Sequence, residues 1–196
     1  MKSHIIYVPG ILDDIGHVQG TLVKLWRLRG VRSYTHSMPW TGPAEYQLKQ
    51  RKLNDLIEEV AVNGQKVYLV GASAGASAVL NAFLANKSTV AGVCLICPKV
   101  NNSNNVGSKI AKVNPSFIQS LKILNGNLKQ MDDHDTAKII SFLSSRDGLV
   151  SYRDSTIPGV SEFALPALRH NFAILFALSF GFSKILRQLR KINNSA

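Results

Sequence analysis

The chain has 196 residues, of which 45% are hydrophobic and 18% charged. This length fits one domain over residues 1–196, and the apolar fraction can build a sizeable core, which excludes disordered, collagen-like and disulfide-scaffold proteins. The 23 Lys and Arg exceed the 12 Asp and Glu, giving a formal net charge of +11. Such an excess attracts phosphate-bearing surfaces such as nucleic acid or anionic lipid. The net charge therefore indicates possible binding partners and does not indicate a catalytic reaction.

Short apolar β-type runs alternate with amphipathic helical patterns along the chain. In chain order the predictions are strand 5–8, helix 15–26 closed by Gly30, strand 31–37, a helix from Pro43 to Asn63-Gly64, strand 67–70, helix 76–84, strand 91–96, an exposed loop at 98–113, a helix opened by Asn114-Pro115, strand 139–143, strand 160–165 and a closing helix 171–191. Helix-length connections between six strands predict a three-layer α/β domain with a mostly parallel sheet.

The two cysteines, Cys94 and Cys97, have the spacing of a redox pair. Both lie in one apolar run, where the two-residue period of a strand directs them to opposite faces, too divergent for a disulfide. We therefore expect buried structural thiols and, without a disulfide framework or a recognisable signal peptide, a cytoplasmic location. The longest apolar tract, residues 172–182, is shorter than the roughly 20 residues that span a bilayer and predicts a buried helix.

The strongest functional signal is Gly71-Ala72-Ser73-Ala74-Gly75, between a predicted strand and a predicted helix. A serine at so tight a turn adopts a strained backbone, and small residues two positions before and after it let the strand and helix pass closely. Its hydroxyl lies near a helix N-terminus, whose N–H groups stabilise a developing negative charge. We expect Ser73 to be a nucleophile; the alternative is an ordinary small-residue packing motif.

A serine hydroxyl is a weak nucleophile and needs a base, which in turn needs an orienting acid. His170 follows the last predicted strand by a few residues and directly precedes a helix, which makes it the candidate base; a polar residue at a helix N-terminus is the alternative. The other histidines have surface or packing explanations: His4, His17, His36 and His134.

The candidate acid is Asp147, which follows strand 139–143 and precedes a turn at Gly148. It lies 23 residues before His170, enough for one short helix and one strand, so the two side chains can meet above adjacent strands. Asp154 is the rival, but it is better placed to cap the segment before Pro158.

The order Ser73, Asp147, His170 on this pattern resembles the α/β-hydrolase superfamily, and the resemblance covers essentially the whole chain. Larger members insert a helical cap, whereas only about 40 residues, 98–136, separate the flanking strands here. The first two strands of the full fold are also missing from the pattern. The chain is thus similar to the small, nearly capless hydrolases of the YdeN type, and we expect a minimal fold with an open site.

The resemblance also implies an oxyanion hole made by the backbone N–H groups of Ile11 and Ala74. Gly10 would let the backbone approach the substrate closely, and Leu12 is a further candidate contact. After the second strand, Met38 and Pro39 together with Trp40 form a candidate acyl-binding wall, for which simple loop packing is the alternative.

The implied activity is that of a serine hydrolase, most simply a carboxylesterase acting on small or medium acyl substrates without cofactor or metal. Thioesterase, amidase or acyltransferase chemistry would use the same three side chains. A hypothesis from another class is a non-catalytic binding protein that keeps the hydrolase pocket.

The closing helix has a basic face formed by Lys184, Arg187, Arg190 and Lys191. It is a candidate for weak contact with anionic lipid or another phosphate-rich partner, although a solvated helix face is the simpler interpretation. No specific nucleic acid is predicted. The acidic run at 132–135 indicates helix capping, because consecutive residues in a turn rarely converge on one metal ion.

Overall fold

The computed structural model of the protein describes residues 4–11, 13–42, 45–62 and 65–195. Within these residues one sheet contains six strands: β1 (His4–Val8), β2 (Arg32–Thr35), β3 (Val67–Ala72), β4 (Val90–Ile96), β5 (Ile139–Leu143) and β6 (Ser161–Ala164). The strand order is β2-β1-β3-β4-β5-β6, and every neighbouring pair is parallel. The predicted α/β class with a six-stranded parallel sheet is confirmed.

The helices of the described residues are α1 (Asp13–Lys24), α2 (Tyr46–Val60), α3 (Gly75–Ala85), α4 (Ser108–Val113), α5 (Pro115–Asn127), α6 (Asp133–Ala137), α7 (Tyr152–Ser155), α8 (His170–Ser179) and α9 (Phe182–Ser195). Helices α2, α3 and α5 pack on one face of the sheet, and α1, α8 and α9 pack on the other. Helix α1 continues into a 3-10 turn, Leu25–Arg29, which ends at the left-handed Gly30 as predicted.

Each strand contributes alternate side chains to the two cores. In β1, Ile6 and Val8 belong to the core under α2, α3 and α5, whereas Ile5 and Tyr7 belong to the core under α1, α8 and α9. Because both faces are covered by helices, the central strands are apolar at almost every position. This burial fixes the register and so determines which residues emerge at the carboxyl edge.

The closing helix was expected to be continuous over 171–191, but the structure divides it into α8 and α9, which are bent by 71°. A straight helix of that length would extend about 30 Å, well beyond the strands it covers. The bend lets both halves bury their apolar stripes in the same core, Ala173 and Ala177 from α8 with Ile185 and Leu189 from α9. Among the described residues no single helix is long and apolar enough to cross a membrane. The bent pair of α8 and α9 taken together has the length and composition of a membrane span.

The prediction that 98–113 is an exposed loop is wrong for part of the segment. Pro98, Lys99 and Val100 are buried, and the segment ends in helix α4. The N–H groups of Val100 and Asn101 both donate to the carbonyl of Asp154, a distant partner that the local sequence does not reveal. The predicted helix boundaries at Pro43 and Asn63-Gly64 lie outside the described residues.

Candidate active site

Ser73 occupies a left-handed backbone conformation, with φ of 52°, in the two-residue turn between β3 and α3. The flanking glycines permit this turn: a Cβ at Gly71 would lie 2.5 Å from a methyl group of Val79, and one at Gly75 would lie 2.1 Å from the carbonyl oxygen of Val8. A non-glycine residue is uncommon at positive φ, and such strain is concentrated at functional sites. The turn has the geometry that the sequence motif predicts.

Hydrogen bonds fix this turn against the neighbouring strand. The N–H of Ser73 donates to the carbonyl of Ile96 at the end of β4 (3.0 Å), and its own carbonyl accepts from the N–H of Lys99 (3.2 Å). The half-buried side chain of Ser73 therefore lies at the carboxyl edge of the sheet, beside the segment that follows β4.

His170 and Asp147 are in direct contact. The Nδ1 atom of His170, the first residue of α8, lies 2.7 Å from Oδ2 of Asp147, in the loop after β5. The other carboxylate oxygen of Asp147 accepts from the N–H groups of Leu149 (3.0 Å) and Val150 (2.7 Å). The carboxylate is therefore held on both sides, which fixes the orientation of the imidazole.

The environment of Asp147 favours its ionised form. Burial acts to raise the pKa of this carboxyl, but the hydrogen bonds from His170 and from the N–H groups of Val150 and Leu149 outweigh it, so the pKa lies below its usual value. The Nε2 atom of His170 is buried and has no hydrogen-bond partner among the described residues. That nitrogen is therefore available to a group outside the Asp147 contact.

Cys97 adjoins this pair, because its Sγ and the ligand atoms of Asp147 and His170 all lie within 4.8 Å of one another. Burial, and next the charge of Asp147, raise the pKa of the Cys97 thiol. The buried thiol of Cys97 therefore borders the Asp147–His170 pair. Since Cys97 directly follows Ile96, which accepts from Ser73, the end of β4 borders both Ser73 and the Asp147–His170 pair.

Cys94 and Cys97 are both free and buried. The expected separation onto opposite faces is wrong, because both side chains lie in the core under α8 and α9. Cys97 falls one residue beyond β4 and has φ of 45°, so the strand alternation no longer applies to it.

Asp154, the rival acid, has different partners. Its carboxylate forms an ion pair with the buried Lys99 (3.0 Å) and accepts hydrogen bonds from the side chains of Asn102 and Asn105. Burial acts to raise its pKa, but the hydrogen bond from Asn102 and the neighbouring Lys99 ammonium lower it overall. Asp154 thus anchors the segment after β4, and its N–H donates to Ser151 at the start of α7.

The predicted oxyanion donors lie beside Ser73. A Cβ at Gly10 would lie 3.0 Å from the Cβ of Ser73, so the loop after β1 passes directly over the serine. Neither the N–H of Ile11 nor that of Ala74 donates a hydrogen bond to another described residue. Leu12 lies outside the described residues.

At Met38 and Trp40 of the candidate acyl-binding wall, the structure agrees with the alternative of simple loop packing. Both are buried, 1% and 2% exposed, in the core under α2, α3 and α5. The indole of Trp40 packs edge-to-face on Phe117 and donates its N–H to the carbonyl of Gly10. Trp40 thus holds the loop after β1, a role that its position in the sequence could not indicate. Pro39, between them, is exposed.

The sequence also failed to indicate Ser144. Its hydroxyl donates to the carbonyl of Leu168 (2.6 Å) and accepts from the N–H of the same residue (3.1 Å). This pair of bonds ties the loop before His170 to the end of β5. A cavity of about 450 Å³ lies nearby, lined by Asp147, Cys97 and residues 148–152, but neither Ser73 nor His170 lines it.

The other predicted surface features have clear positions. Lys184, Arg187, Arg190 and Lys191 all lie on the exposed side of α9, and the Lys184 ammonium lies over the rings of Phe142 and Phe163. The acidic run forms a capping box at α6 in which the Asp132 carboxylate accepts from the N–H of Asp135.

No family model and no curated protein matches the sequence. Solved structures do match it. Est1E from Butyrivibrio proteoclasticus has a TM-score of 0.68 and 10% identity, over 96% of this chain and 89% of that chain. The lipase BlEst2 from Bacillus licheniformis, in mature form, has a TM-score of 0.69 and 16% identity, over 94% and 91%. A soluble variant of monoglyceride lipase from Saccharomyces cerevisiae has a TM-score of 0.67 and 13% identity, over 98% and 87%. The protein therefore has the α/β-hydrolase fold.

Proposed function

We propose that the protein is a serine hydrolase of the α/β-hydrolase superfamily that cleaves carboxylic esters of small or medium acyl substrates. The observation that carries this proposal is the contact between His170 and Asp147 at the sheet edge where Ser73 stands in a left-handed turn. A helix cap would explain His170 alone, and a packing motif would explain Ser73 alone. Neither would require Ser73, Asp147 and His170 to lie at the same edge of the sheet.

The chemistry follows from the proton positions. With Nδ1–H donated to Asp147, Nε2 of His170 is left to accept the proton of Ser73 as the hydroxyl attacks the acyl carbonyl. The N–H groups of Ile11 and Ala74 stabilise the resulting oxyanion. His170 then gives the proton to the departing alcohol. A water molecule, deprotonated by the same imidazole, attacks the acyl-enzyme, and the proton passes to the Ser73 oxygen as the carboxylic acid is released.

The preference for esters is supported by the names of the structural neighbours, which include lipases and carboxylesterases. Thioesterase, amidase and acyltransferase chemistry would use the same groups and differs in the leaving group or the acceptor. The second candidate class, a non-catalytic binding protein, has no need of a paired Asp147 and His170.

Labelling with a fluorophosphonate probe, together with turnover of p-nitrophenyl esters from acetate to octanoate, tests the proposal. We expect the wild type to be labelled and to turn over the short esters, and Ser73→Ala to lose both. The exposed, remote Ser183→Ala is the matched control and should behave as wild type. A wild-type protein that is neither labelled nor active on esters, thioesters or anilides would contradict the enzyme and favour the binding protein.

A further inference from the structure

The positive charge of the chain is concentrated in two segments. Residues 15–44 and 163–196 contain nine Lys and Arg and no Asp or Glu, although the whole chain has 12 acidic residues. These segments meet in space, because the indole N–H of Trp26 donates to the carbonyl of Leu178 (2.9 Å) and its ring stacks on Phe182. Cations of both segments therefore share one part of the surface, Arg29 from the first and Arg187, Arg190 and Lys191 from the second.

A cleft of about 640 Å³ opens between the 3-10 turn and α9. It is lined by the cations of Arg29, Arg187, Arg190 and Lys191, and the guanidinium of Arg29 lies over the ring of Phe182. None of the described residues that line it is acidic. A site of this composition fits a phosphate-bearing ligand.

Two large apolar side chains project from the same region. Leu28, in the 3-10 turn, is 76% exposed, and Phe180, in the bend between α8 and α9, is 82% exposed. The apolar face of α9 is already used by the protein, since Ile185 and Leu189 are buried in its core. The apolar face of α9 is therefore not free to insert into lipid. Leu28 and Phe180 are the side chains that could make apolar contact with a lipid surface.

We propose that this face docks on an anionic lipid surface, with the cations of the cleft on the headgroup phosphates and Leu28 and Phe180 entering the interface. Clustered cations beside exposed apolar side chains are the pattern of interfacial proteins. Leu28 precedes β2 and so lies at the amino edge of the sheet, whereas Ser73 follows β3 at the carboxyl edge. Docking therefore leaves the candidate active site open to solution.

Co-sedimentation with vesicles of phosphatidylcholine alone, or with one quarter phosphatidylglycerol, tests this proposal. We expect the wild type to bind only the anionic vesicles. The affinity of Arg187→Glu/Arg190→Glu for these vesicles should be at least about 10-fold lower than that of the wild type, and Leu28→Ser/Phe180→Ser should also bind more weakly. The control Lys109→Glu/Lys112→Glu makes the same change of net charge at exposed positions of α4 and should bind as wild type.

Equal loss of binding in the control variant would overturn the proposal, because net charge alone would then explain the binding. The proposal is also overturned if the wild type does not bind anionic vesicles, or if it binds only duplex DNA or free inorganic phosphate. These measurements do not depend on the proposed hydrolase activity.

A second inference concerns Trp40 and rests on the proposed function. Its indole N–H donates to the carbonyl of Gly10 (3.2 Å). That carbonyl belongs to the same peptide unit as the N–H of Ile11, and because a trans peptide is planar, the two groups point in opposite directions. Holding the carbonyl of Gly10 therefore sets the direction of the N–H of Ile11.

We infer that Trp40 is a positioning residue for the oxyanion hole. The loop it holds passes directly over Ser73, and the N–H of Ile11 has no acceptor among the described residues. The ring is itself fixed by burial and by its edge-to-face contact with Phe117 at 5.6 Å between centroids. If the N–H of Ile11 already points toward the oxyanion position before the substrate binds, it need not reorient when the oxyanion forms.

Trp40→Phe removes the N–H and retains an aromatic ring, and Trp26→Phe is the matched control, since its indole also donates to a backbone carbonyl but away from the site. We expect Trp40→Phe to lower kcat about 10-fold or more with KM within about twofold, and to weaken a boronate transition-state analogue to the same extent. Trp26→Phe should retain kcat. Incorporation of benzothienylalanine at position 40, which removes the N–H at nearly constant shape, gives the same readout should Trp40→Phe fail to fold.

A kcat within twofold of wild type after loss of the N–H at position 40, or an equal loss in Trp26→Phe, would overturn the positioning role. Failure of the proposed function is a different result: wild type without Ser73-dependent labelling.

Discussion

His170 and Asp147 are joined by two hydrogen bonds, one between side chains and one between backbones. Besides the 2.7 Å contact of Nδ1 with Oδ2, the N–H of His170 donates to the carbonyl of Asp147 at 2.9 Å. The first residue of α8 is thereby fixed to the loop after β5, so the orientation of the imidazole does not depend on the side-chain contact alone.

Replacement of Asp147 by Asn should abolish most activity and leave the fold in place. The amide cannot stabilise the imidazolium and favours the wrong tautomer, so we expect kcat to fall by about 10²–10⁴. Asp154→Asn is the comparison. It leaves Lys99 buried without its counter-charge, so its main effect should be a loss of unfolding free energy on the order of 3 kcal/mol. Kinetics and urea unfolding of both variants check this, and a larger kcat loss in Asp154→Asn would show that the acid is misassigned.

Gly75 should tolerate no side chain. Its Cβ would lie 2.1 Å from the backbone oxygen of Val8, which cannot move without displacing β1, so Gly75→Ala should destabilise the protein by about 4 kcal/mol or more. Gly126 is the matched control within α5, where nothing lies within 4 Å, and Gly126→Ala should gain about 0.5 kcal/mol. Urea midpoints measure both, and similar stability of the two variants would refute the close approach.

Stability should fall as the pH drops below neutrality. Burial, and next a neighbouring cation (Arg32 and Lys52 respectively), lower the pKa of His4 and of His36. The unfolded chain binds these protons near its ordinary pKa of about 6.5 and the folded chain does not, so the unfolding free energy declines between about pH 7 and pH 5. We expect His4→Asn/His36→Asn to reduce this slope and the exposed His17→Asn to retain it. An unchanged slope in the double variant would exclude these histidines as the cause.

The two thiols should be inert in the native protein. Cys94 and Cys97 are 0% and 1% exposed, and burial raises the pKa of both. Because the thiolate is the reactive form, Ellman's reagent should modify neither cysteine in buffer and both in guanidinium chloride. Rapid modification of the native protein would show that the end of β4 opens to solvent.

The sequence by itself determined the architecture and the turn at Ser73, because both are encoded locally. Short, continuous apolar runs give the strands, and the short run Gly71–Gly75 can form a tight strand-to-helix turn only with its small residues. Since polar residues that follow parallel strands emerge at one edge, Asp147 and His170 could also be named as neighbours in advance.

Only the tertiary structure decided where Trp40 points, how the Lys99 charge is paired and what Ser144 holds. Each of these depends on a contact between residues distant in the chain: Trp40 with Gly10, Lys99 with Asp154, and Ser144 with Leu168. Hydrophobic periodicity predicts that a side chain is buried but does not predict which residues it contacts. A hydrogen bond needs a short distance and a specific direction between its two groups. Partners across the fold are therefore set by packing, which the local sequence does not specify.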